Sequence, residues 1–353
     1  MAGNNNLHMS RADKADEFYT GLSLIESELK HYKGFIKGKV VLCNCDDPFE
    51  SNFFKYFAMN FNSLGLKKLI ATGYATSPIA YTQLKLSGSG TAASKEKSTK
   101  KPYKIEITGV TDENGDGRVD LADVEYLLRN RKNALTLLQG DGDFRSAECL
   151  ELLKQADVVV TNPPFSLFRE YMAQLMKWEK SFIVVGNQNA ITYREILPLV
   201  HDNRVWLGYN SGHFWFRVPD TYAEKKTDFK IDENGQKWRR MGNICWFTNV
   251  DIEKRHENMT LFRTYSPGTY PKYDHYDAIE VSRTAEIPCD YYGVMAVPIT
   301  FIDKFNPDQF EILGDSRYHD GQDCSDDINV INGKTLYRRI LIRRKQRKRG
   351  ADK

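Results

Sequence analysis

The feature that most restricts the fold is a strand, a proline-stiffened turn, a helix and a second strand in immediate succession. Residues 156–161 (ADVVVT), centred on three consecutive valines, read as a buried strand. Residues 166–178 follow with helical apolar spacing, and residues 181–185 (SFIVV) form a second buried run. Strands joined through a helix lie parallel, because a tight hairpin connects only antiparallel neighbours. The same alternation occurs earlier. Residues 39–45 (KVVLCNC) read as a strand stopped by Asp46, Asp47 and Pro48. Residues 51–61 carry Phe53, Phe54, Phe57 and Phe61 at helical spacing, and residues 67–72 (KKLIAT) read as the next strand. A short amphipathic helix runs through Leu22, Ile25, Glu26 and Leu29. The expected fold class is therefore α/β: a doubly wound, mostly parallel sheet with helices on both faces. Such sheets bind ligands beyond the carboxyl ends of their strands, which directs attention to the turns there.

Composition narrows the class further. Hydrophobic residues at 41% and charged residues at 27% exclude a disordered or collagen-like chain. The 353 residues suit one large domain or two ordinary ones. No apolar run approaches a membrane span, and the polar, Asn-rich first residues lack a signal core, so a cytoplasmic location without membrane contact is expected. The six Cys include no Cys-x-x-Cys pair, which suits a reducing compartment rather than a disulfide or zinc framework. Cys43 and Cys45 read as core residues. Residues 76–102 are rich in Ser, Thr, Gly and Lys and read as a surface loop. Beyond about residue 204 the pattern changes to aromatic-rich strands and loops.

Asn162-Pro163-Pro164-Phe165 joins the strand 156–161 to its helix. Two prolines fix φ and remove two donors, which leaves a stiff loop whose carbonyls can accept. Asn162 adds a side-chain carbonyl, and Phe165 a flat apolar face. Two acceptors beside a stacking ring suit a planar molecule with an exocyclic amino group. An aromatic amine is a poor nucleophile because its lone pair is delocalised. Acceptors on its N–H bonds bias that lone pair towards an electrophile. The alternative is a structural turn that only ends a strand.

The Asn-Pro-Pro-Phe loop resembles the catalytic motif of amino-group methyltransferases. The resemblance becomes closer over longer blocks: residues 16–20 (DEFYT), 40–57 (VVLCNCDDPFESNFFKYF), 140–146 (GDGDFRS), 159–168 (VVTNPPFSLF), 270–278 (YPKYDHYDA) and 293–301 (GVMAVPITF). Together they are similar to the EcoRI-type adenine-specific DNA methyltransferases. The resemblance implies a Rossmann-like methyltransferase sheet, S-adenosylmethionine as cofactor, and a flipped adenine in double-stranded DNA as substrate. It implies a domain over residues 16–250 after a leader at 1–15, with an insertion at about 76–135. A mixed DNA target-recognition region would follow at 251–337 and a basic tail at 338–353. Asn162 and the Pro163 carbonyl would hold the adenine amino group, Pro164 would stiffen the loop, and Phe165 would stack on the ring. Tyr19 and Thr20 would close over the cofactor's methionine end. Asn44, Cys45 and Asp46 would lie beside it, and Asp143, next to Phe144, would accept from its adenine. A monomer is expected, with a cognate restriction endonuclease acting on the same site without direct contact.

The chain departs from the wider class after its first strand, where a Gly-rich loop is usual and Cys-Asn-Cys-Asp-Asp-Pro stands instead. The second strand ends in Thr72-Gly73-Tyr74 rather than an acid, so Asp46 or Asp47 could take the ribose hydroxyls. Asp46 and Asp47 could equally cap a helix, and residues 140–143 could form only a turn. Similar loops also occur in enzymes that methylate RNA bases or protein glutamine. A non-catalytic DNA-binding protein on the same scaffold is a further alternative.

Residues 112–123 (DENGDGRVDLAD) fit a calcium loop. Asp112, Asn114, Asp116, Asp120 and Asp123 stand at positions one, three, five, nine and twelve, and Arg118 offers its backbone carbonyl at seven. Gly117 falls at the sharp turn. Position twelve is Asp, with a shorter reach than Glu. A strand-like entry over 103–110 and an exit helix over 123–131 make half an EF-hand, so a calcium ion there would brace the insertion. The same residues also suit a metal-free turn that caps a helix.

Charge is distributed unevenly. Residues 338–353 hold nine Lys/Arg and one Asp, a local +8, within a total of only +3. A basic end on an acidic body suits nucleic acid, or a solvated tail. His213, Trp215 and Arg217, with Arg239, Arg240 and Lys272, are further candidates for DNA contact; an ordinary surface or core role is the alternative for each.

Overall fold

A computed structural model describes residues 18–73 apart from 46 and 49, 102–130 apart from 114, 135–319 apart from 221, and 322–323 and 326–346. Of the expectations above, the leader, Asp46, Asn114, most of the loop at 76–102 and the last seven residues lie outside these. The chain divides into two compact units. The first comprises residues 1–187 and 209–250, the second 188–208 and 251–353.

The first unit is built on ten described strands: β1 (Tyr19–Thr20), β2 (Val40–Asn44), β3 (Lys68–Gly73), β4 (Tyr103–Ile107), β5 (Leu135–Leu137), β6 (Val158–Thr161), β7 (Ser181–Asn187), β8 (Trp206–Arg217), β9 (Phe229–Ile231) and β10 (Lys237–Thr248). Their order is β1-β8-β10-β7-β6-β2-β3-β4-β5, with β9 on β10. β7, β6, β2 and β3 are mutually parallel. The flanks are antiparallel: β10 on β7, β4 on β3 and β5 on β4. The expected parallel arrangement thus holds for the four central strands, and the sheet as a whole is mixed. All five residues of β2 are buried, as an apolar run covered on both faces requires.

Helices lie on both faces. Phe53, from helix Asn52–Met59, packs edge-on against Trp246 at 5.8 Å. Phe168, from helix Phe168–Lys177, packs on Phe247 at 5.0 Å. Trp246 and Phe247 are consecutive in β10, and successive strand side chains point to opposite faces. Gly186 lets the second helix approach, since a Cβ there would come within 2.7 Å of the Phe168 ring.

The expected insertion is partly sheet. Tyr103, Ile105 and Ile107 of β4 face the core, and helix Leu121–Asn130 follows the acidic loop. Tyr103 and Ile105 pair with Gly73 and Ala71, so this strand extends the central order.

The second unit contains a six-stranded sheet. Its strands are β11 (Ala278–Glu280), β12 (Val294–Val297), β13 (Phe310–Asp315), β14 (Tyr318–His319) and β15 (Gln322–Asp323). β16 (Val330–Ile331) and β17 (Lys334–Thr335) form a separate pair, and β18 (Ile340–Arg344) completes the larger sheet between β12 and β13. The start of the expected basic tail is therefore a core strand. Ile340, Leu341 and Ile342 are buried. Arg338 pairs with Asp315, Arg339 with Glu280, and Arg343 with Glu311. The apolar triplet inside the basic run gains more from burial than the run loses by neutralising its charges against acids. No helix among the described residues is long and apolar enough to cross a membrane.

Candidate active site

The four parallel strands place their carboxyl ends at one edge, where Asn44, Gly73, Thr161 and Asn187 end β2, β3, β6 and β7. β5 runs in the same sense as β3, so residues 138–146 emerge at that edge too. The edge collects Asn44, Cys45, Asp143, Phe144 and Asn162–Phe165, which the sequence had offered from three separate stretches.

Asn162 follows β6 and is 6% exposed. Its Nδ2 donates to the Phe18 carbonyl at 2.5 Å. Its Oδ1 is buried and has no hydrogen-bond partner among the described residues. An acceptor buried without a donor costs about 1–3 kcal/mol, so its retention points to use. The Pro164 carbonyl, in contrast, is occupied: it accepts from Leu167 N at 2.9 Å and starts the 3₁₀ turn Phe165–Leu167. Of the two proline carbonyls, the expectation that both stay open to a ligand is corrected at Pro164. The Phe165 ring is half-buried, facing Phe18 and edge-on to Phe216.

β1 reaches this edge by pairing with the end of β8, Tyr19 opposite Arg217 and Thr20 opposite Phe216. Arg217 lies over the Tyr19 ring at 4.7 Å and is ion-paired with Glu50. Asn52 Nδ2 donates to the Thr20 carbonyl at 2.7 Å. Thr20 is 1% exposed, and its hydroxyl has no partner among the described residues. The helix that follows, Leu22–Leu29, is tied to β8 by Glu28, a fully buried carboxylate that accepts from Tyr209 N, Asn210 N and Asn210 Nδ2 at 2.8–2.9 Å.

Asn44 is buried beneath the edge. Its Oδ1 accepts from the Tyr171 hydroxyl and its carbonyl from Thr161 Oγ1 at 3.0 Å. Tyr171 also packs edge-on to Phe144 at 5.0 Å. Cys45 has φ +131°, a left-handed conformation that favours glycine. The unusual turn after the first strand therefore keeps glycine-like backbone geometry without a glycine. The next helix starts from Ser51, and both Asp47 oxygens accept from the Tyr103 hydroxyl at 3.0 Å. Asp143 follows Gly142, whose φ of +78° and contact with Pro102 require glycine. The forked Arg145 guanidinium holds the Asp143 carboxyl below its usual range, so it stays ionised and accepting at neutral pH.

The residues considered for DNA are spread over both units. His213, Trp215 and Arg217 share one face of β8, with Phe214 and Phe216 buried on the other. Arg217 braces β1, as described. Trp215 lies under Lys230 at 4.7 Å, and His213 packs over Gly242. Arg239 donates to the Thr227 and Asp228 carbonyls, and Arg240 pairs with Asp228 at 3.7 Å. Lys272, in the second unit, pairs with Asp277 at 2.9 Å.

The acidic loop turns its carboxylates inwards. Asp112 accepts from Gly115 N and Gly117 N, Asp116 from Arg118 N, and Asp120 from Ala122 N, all at 2.7–2.9 Å. Asp123, 1% exposed, accepts from Glu113 N and Asp120 N. Gly117 has φ +85°, as its position demands. Among the described residues no group of three or more His, Cys, Asp or Glu is placed to hold a metal ion.

Sequence reasoning did not single out Phe18, Phe216, Thr161 or Tyr171 for this edge. Phe18 directly precedes Tyr19, and Thr161 directly precedes Asn162, so those neighbourhoods were the available signal; Phe216 is brought in by the pairing of β8 with β1, and Tyr171 by the helix that follows the loop.

With this geometry in place, known proteins give a direct comparison. The profile of a family described as "Adenine-specific methyltransferase EcoRI" matches residues 6–345. The chain belongs to this family. It is 43% identical to the Type II methyltransferase M.EcoRI of Escherichia coli, over 98% of both chains. It is 35% identical to the Type II methyltransferase M.MpnI of Mycoplasma pneumoniae, over 96% of this chain and 98% of that one. A third relative, the Type II methyltransferase M.MgeORF184P of Mycoplasma genitalium, is 33% identical over 96% of this chain. No solved structure matches the chain.

Proposed function

We propose that this member of the EcoRI family methylates the exocyclic amino group of an adenine flipped out of double-stranded DNA, as the modification enzyme of a restriction-modification system. The observation that carries the reading is the buried Oδ1 of Asn162, without a partner among the described residues and three residues before the half-buried Phe165 ring. An amino group hydrogen-bonded there has its ring held against Phe165. Asn162 Oδ1 and the Pro163 carbonyl would then each take one N–H and leave the nitrogen lone pair directed out of the ring plane. The chain needs no strong base for this step, because the amino proton becomes acidic once nitrogen carries a fourth bond. Catalysis is chiefly orientation and proximity. The base must leave the duplex to reach a buried acceptor, at a cost of a few kcal/mol that stacking and phosphate contacts offset.

The residues at the edge fit S-adenosylmethionine. The unpartnered Thr20 hydroxyl, the ionised Asp143 and the glycine-like turn at Cys45 suit a ligand with amino, hydroxyl and zwitterionic groups. When bound, the cofactor supplies a methyl group already activated on a sulfonium. Tyr19, Thr20, Asn44, Cys45, Asp143 and Phe144 would hold it, with Asp46 or Asp47 at the ribose. The sheet is read as the Rossmann-like core, and the strands after residue 250 as the target-recognition region. The enzyme is read as a cytoplasmic monomer whose cognate endonuclease reads the same site.

A calcium ion at residues 112–123 is a separate, structural proposal. A carboxylate oxygen that accepts one N–H retains a lone pair for a cation. Titration calorimetry at millimolar calcium, with the heat lost in Asp112→Ala, tests it. The main reading is tested by sequencing DNA from expressing cells for methyladenine. Cells expressing the wild type should carry it at one defined sequence, and cells expressing Asn162→Ala should not. Unmodified DNA in both would end the proposal.

A further inference from the structure

Four aromatic rings meet around the Asn162 loop: Phe18, Phe165, Phe216 and Tyr222. Phe18 and Phe165 face one another, with centroids 6.2 Å apart and planes 17° from parallel. Phe216 stands edge-on to Phe18 at 6.0 Å and to Phe165 at 6.3 Å. Tyr222 is edge-on to Phe18 at 6.2 Å. Phe18 and Phe165 are only half-buried, whereas Phe216 beneath them is fully buried. Two near-parallel walls over a perpendicular floor have the form of a slot.

We propose that Phe18 is a positioning residue for the target base: its ring is the second wall of that slot, and its carbonyl sets which end of the Asn162 amide meets the base. The proposal rests on the adenine-transfer reading above.

The carbonyl argument comes first. A primary amide presents an acceptor at one end and a donor at the other, in nearly the same shape. The Phe18 carbonyl can only accept, so its bond from Asn162 Nδ2 turns Oδ1 to the opposite side. There Oδ1 is buried and lacks a partner among the described residues. The reversed amide would set two carbonyl oxygens against each other at that distance. A backbone atom of residue 18 thus ensures that an acceptor, not a donor, faces an incoming amino group.

The ring argument is one of thickness. A flat ring between two faces needs a contact of about 3.5 Å on each side, so about 7 Å in all. The two ring centroids stand 6.2 Å apart, so the rings must part to admit a base between them. The strand itself is held by Tyr19 opposite Arg217 and by Asn52 on the Thr20 carbonyl. A base stacked on one face can tilt and lift away from it. Between two faces it keeps only in-plane freedom, and its amino edge is guided to Asn162. Thr20 lies two residues further on in β1, so one short stretch serves the base with residue 18 and the cofactor with residue 20.

Phe18→Leu keeps the apolar bulk and removes the flat face; Phe18→Tyr keeps both. Each variant is assayed in single turnover with tritiated S-adenosylmethionine and unmethylated bacterial genomic DNA. Cofactor affinity is measured by equilibrium dialysis, and folding by thermal melting. The expected result is a loss of about 10- to 100-fold in methyl transfer for Phe18→Leu, the range one base-stacking contact commands. Cofactor affinity should stay within about twofold, and Phe18→Tyr should recover transfer to within about threefold of the wild type. Wild-type transfer by Phe18→Leu would overturn the proposal, because the ring would then only fill space. A loss of cofactor affinity equal to the loss of transfer would overturn it as well, since Phe18 would then serve the cofactor. Wild-type protein that methylates no DNA would instead overturn the functional reading beneath it, before any variant is compared.

Discussion

The Asn162 loop and the acidic loop at 112–123 each join a strand to a helix, and each carries a complete sequence motif. Their polar atoms are arranged in opposite ways. In the acidic loop, Asp112, Asp116, Asp120 and Asp123 all accept backbone N–H donors of the loop itself. At Asn162 one end of the amide is satisfied by Phe18, and the other is buried without a partner among the described residues. The first arrangement lowers the energy of the folded chain. The second raises it and is compensated only when something else binds. The acidic loop holds its shape with or without a cation, whereas the Asn162 amide is completed only by a ligand.

Opposite substitution signatures should follow. The largest effect is expected for Asn162→Ala, with methyl transfer falling about 10²- to 10³-fold, the scale of losing one oriented polar group at a reacting centre. Its thermal stability should change little, because removal of an unsatisfied buried acceptor offsets loss of the bond to the Phe18 carbonyl. Cofactor binding by equilibrium dialysis should largely survive. A cooperative loss of folding in this variant would break the contrast. Asp123→Ala should do the reverse. Two backbone donors lose a buried carboxylate, at about 1–3 kcal/mol each. Hydrogen exchange should show the 112–130 segment opening, while methyl transfer persists.

Gly186→Ala asks whether the Asn162 loop depends on its supporting helix. The new Cβ would lie 2.7 Å from the Phe168 ring and 2.9 Å from Phe247. Urea unfolding should show a cost of about 1–3 kcal/mol from overpacking. Activity should fall with it only if the helix displaces the loop. The smallest effect concerns pH at Asp143. Its folded pKa is depressed by Arg145, so the pair contributes fully above the unfolded carboxylate value of about 4. That contribution is lost as pH falls through the lower folded value. Acid melts of Asp143→Asn should be flatter there than those of the wild type.

Much of the central architecture was legible because it depends on local periodicity. The largely apolar runs at 39–45, 67–72, 156–161 and 181–185 correspond to β2, β3, β6 and β7, and the stiff Asn162 turn stands between a strand and a helix. The flanks were less legible. The alternation at 103–110 showed a strand but not that it would run antiparallel on β3, since strand direction depends on what the connecting chain permits. At 338–346 the basic residues dominated the reading. Their role changed because Asp315, Glu280 and Glu311, distant in sequence, lie alongside.

The sequence by itself therefore determined the central strands, the turn that carries Asn162 and, through its long matching blocks, the family. Only the tertiary structure decided which polar atoms are left unsatisfied, which aromatic ring faces Phe165, and which charges are neutralised. Strand and turn formation follow from contacts within a few residues. Satisfaction, stacking and pairing at this edge depend on partners as far apart as Phe18 and Asn162, whose meeting no local pattern encodes.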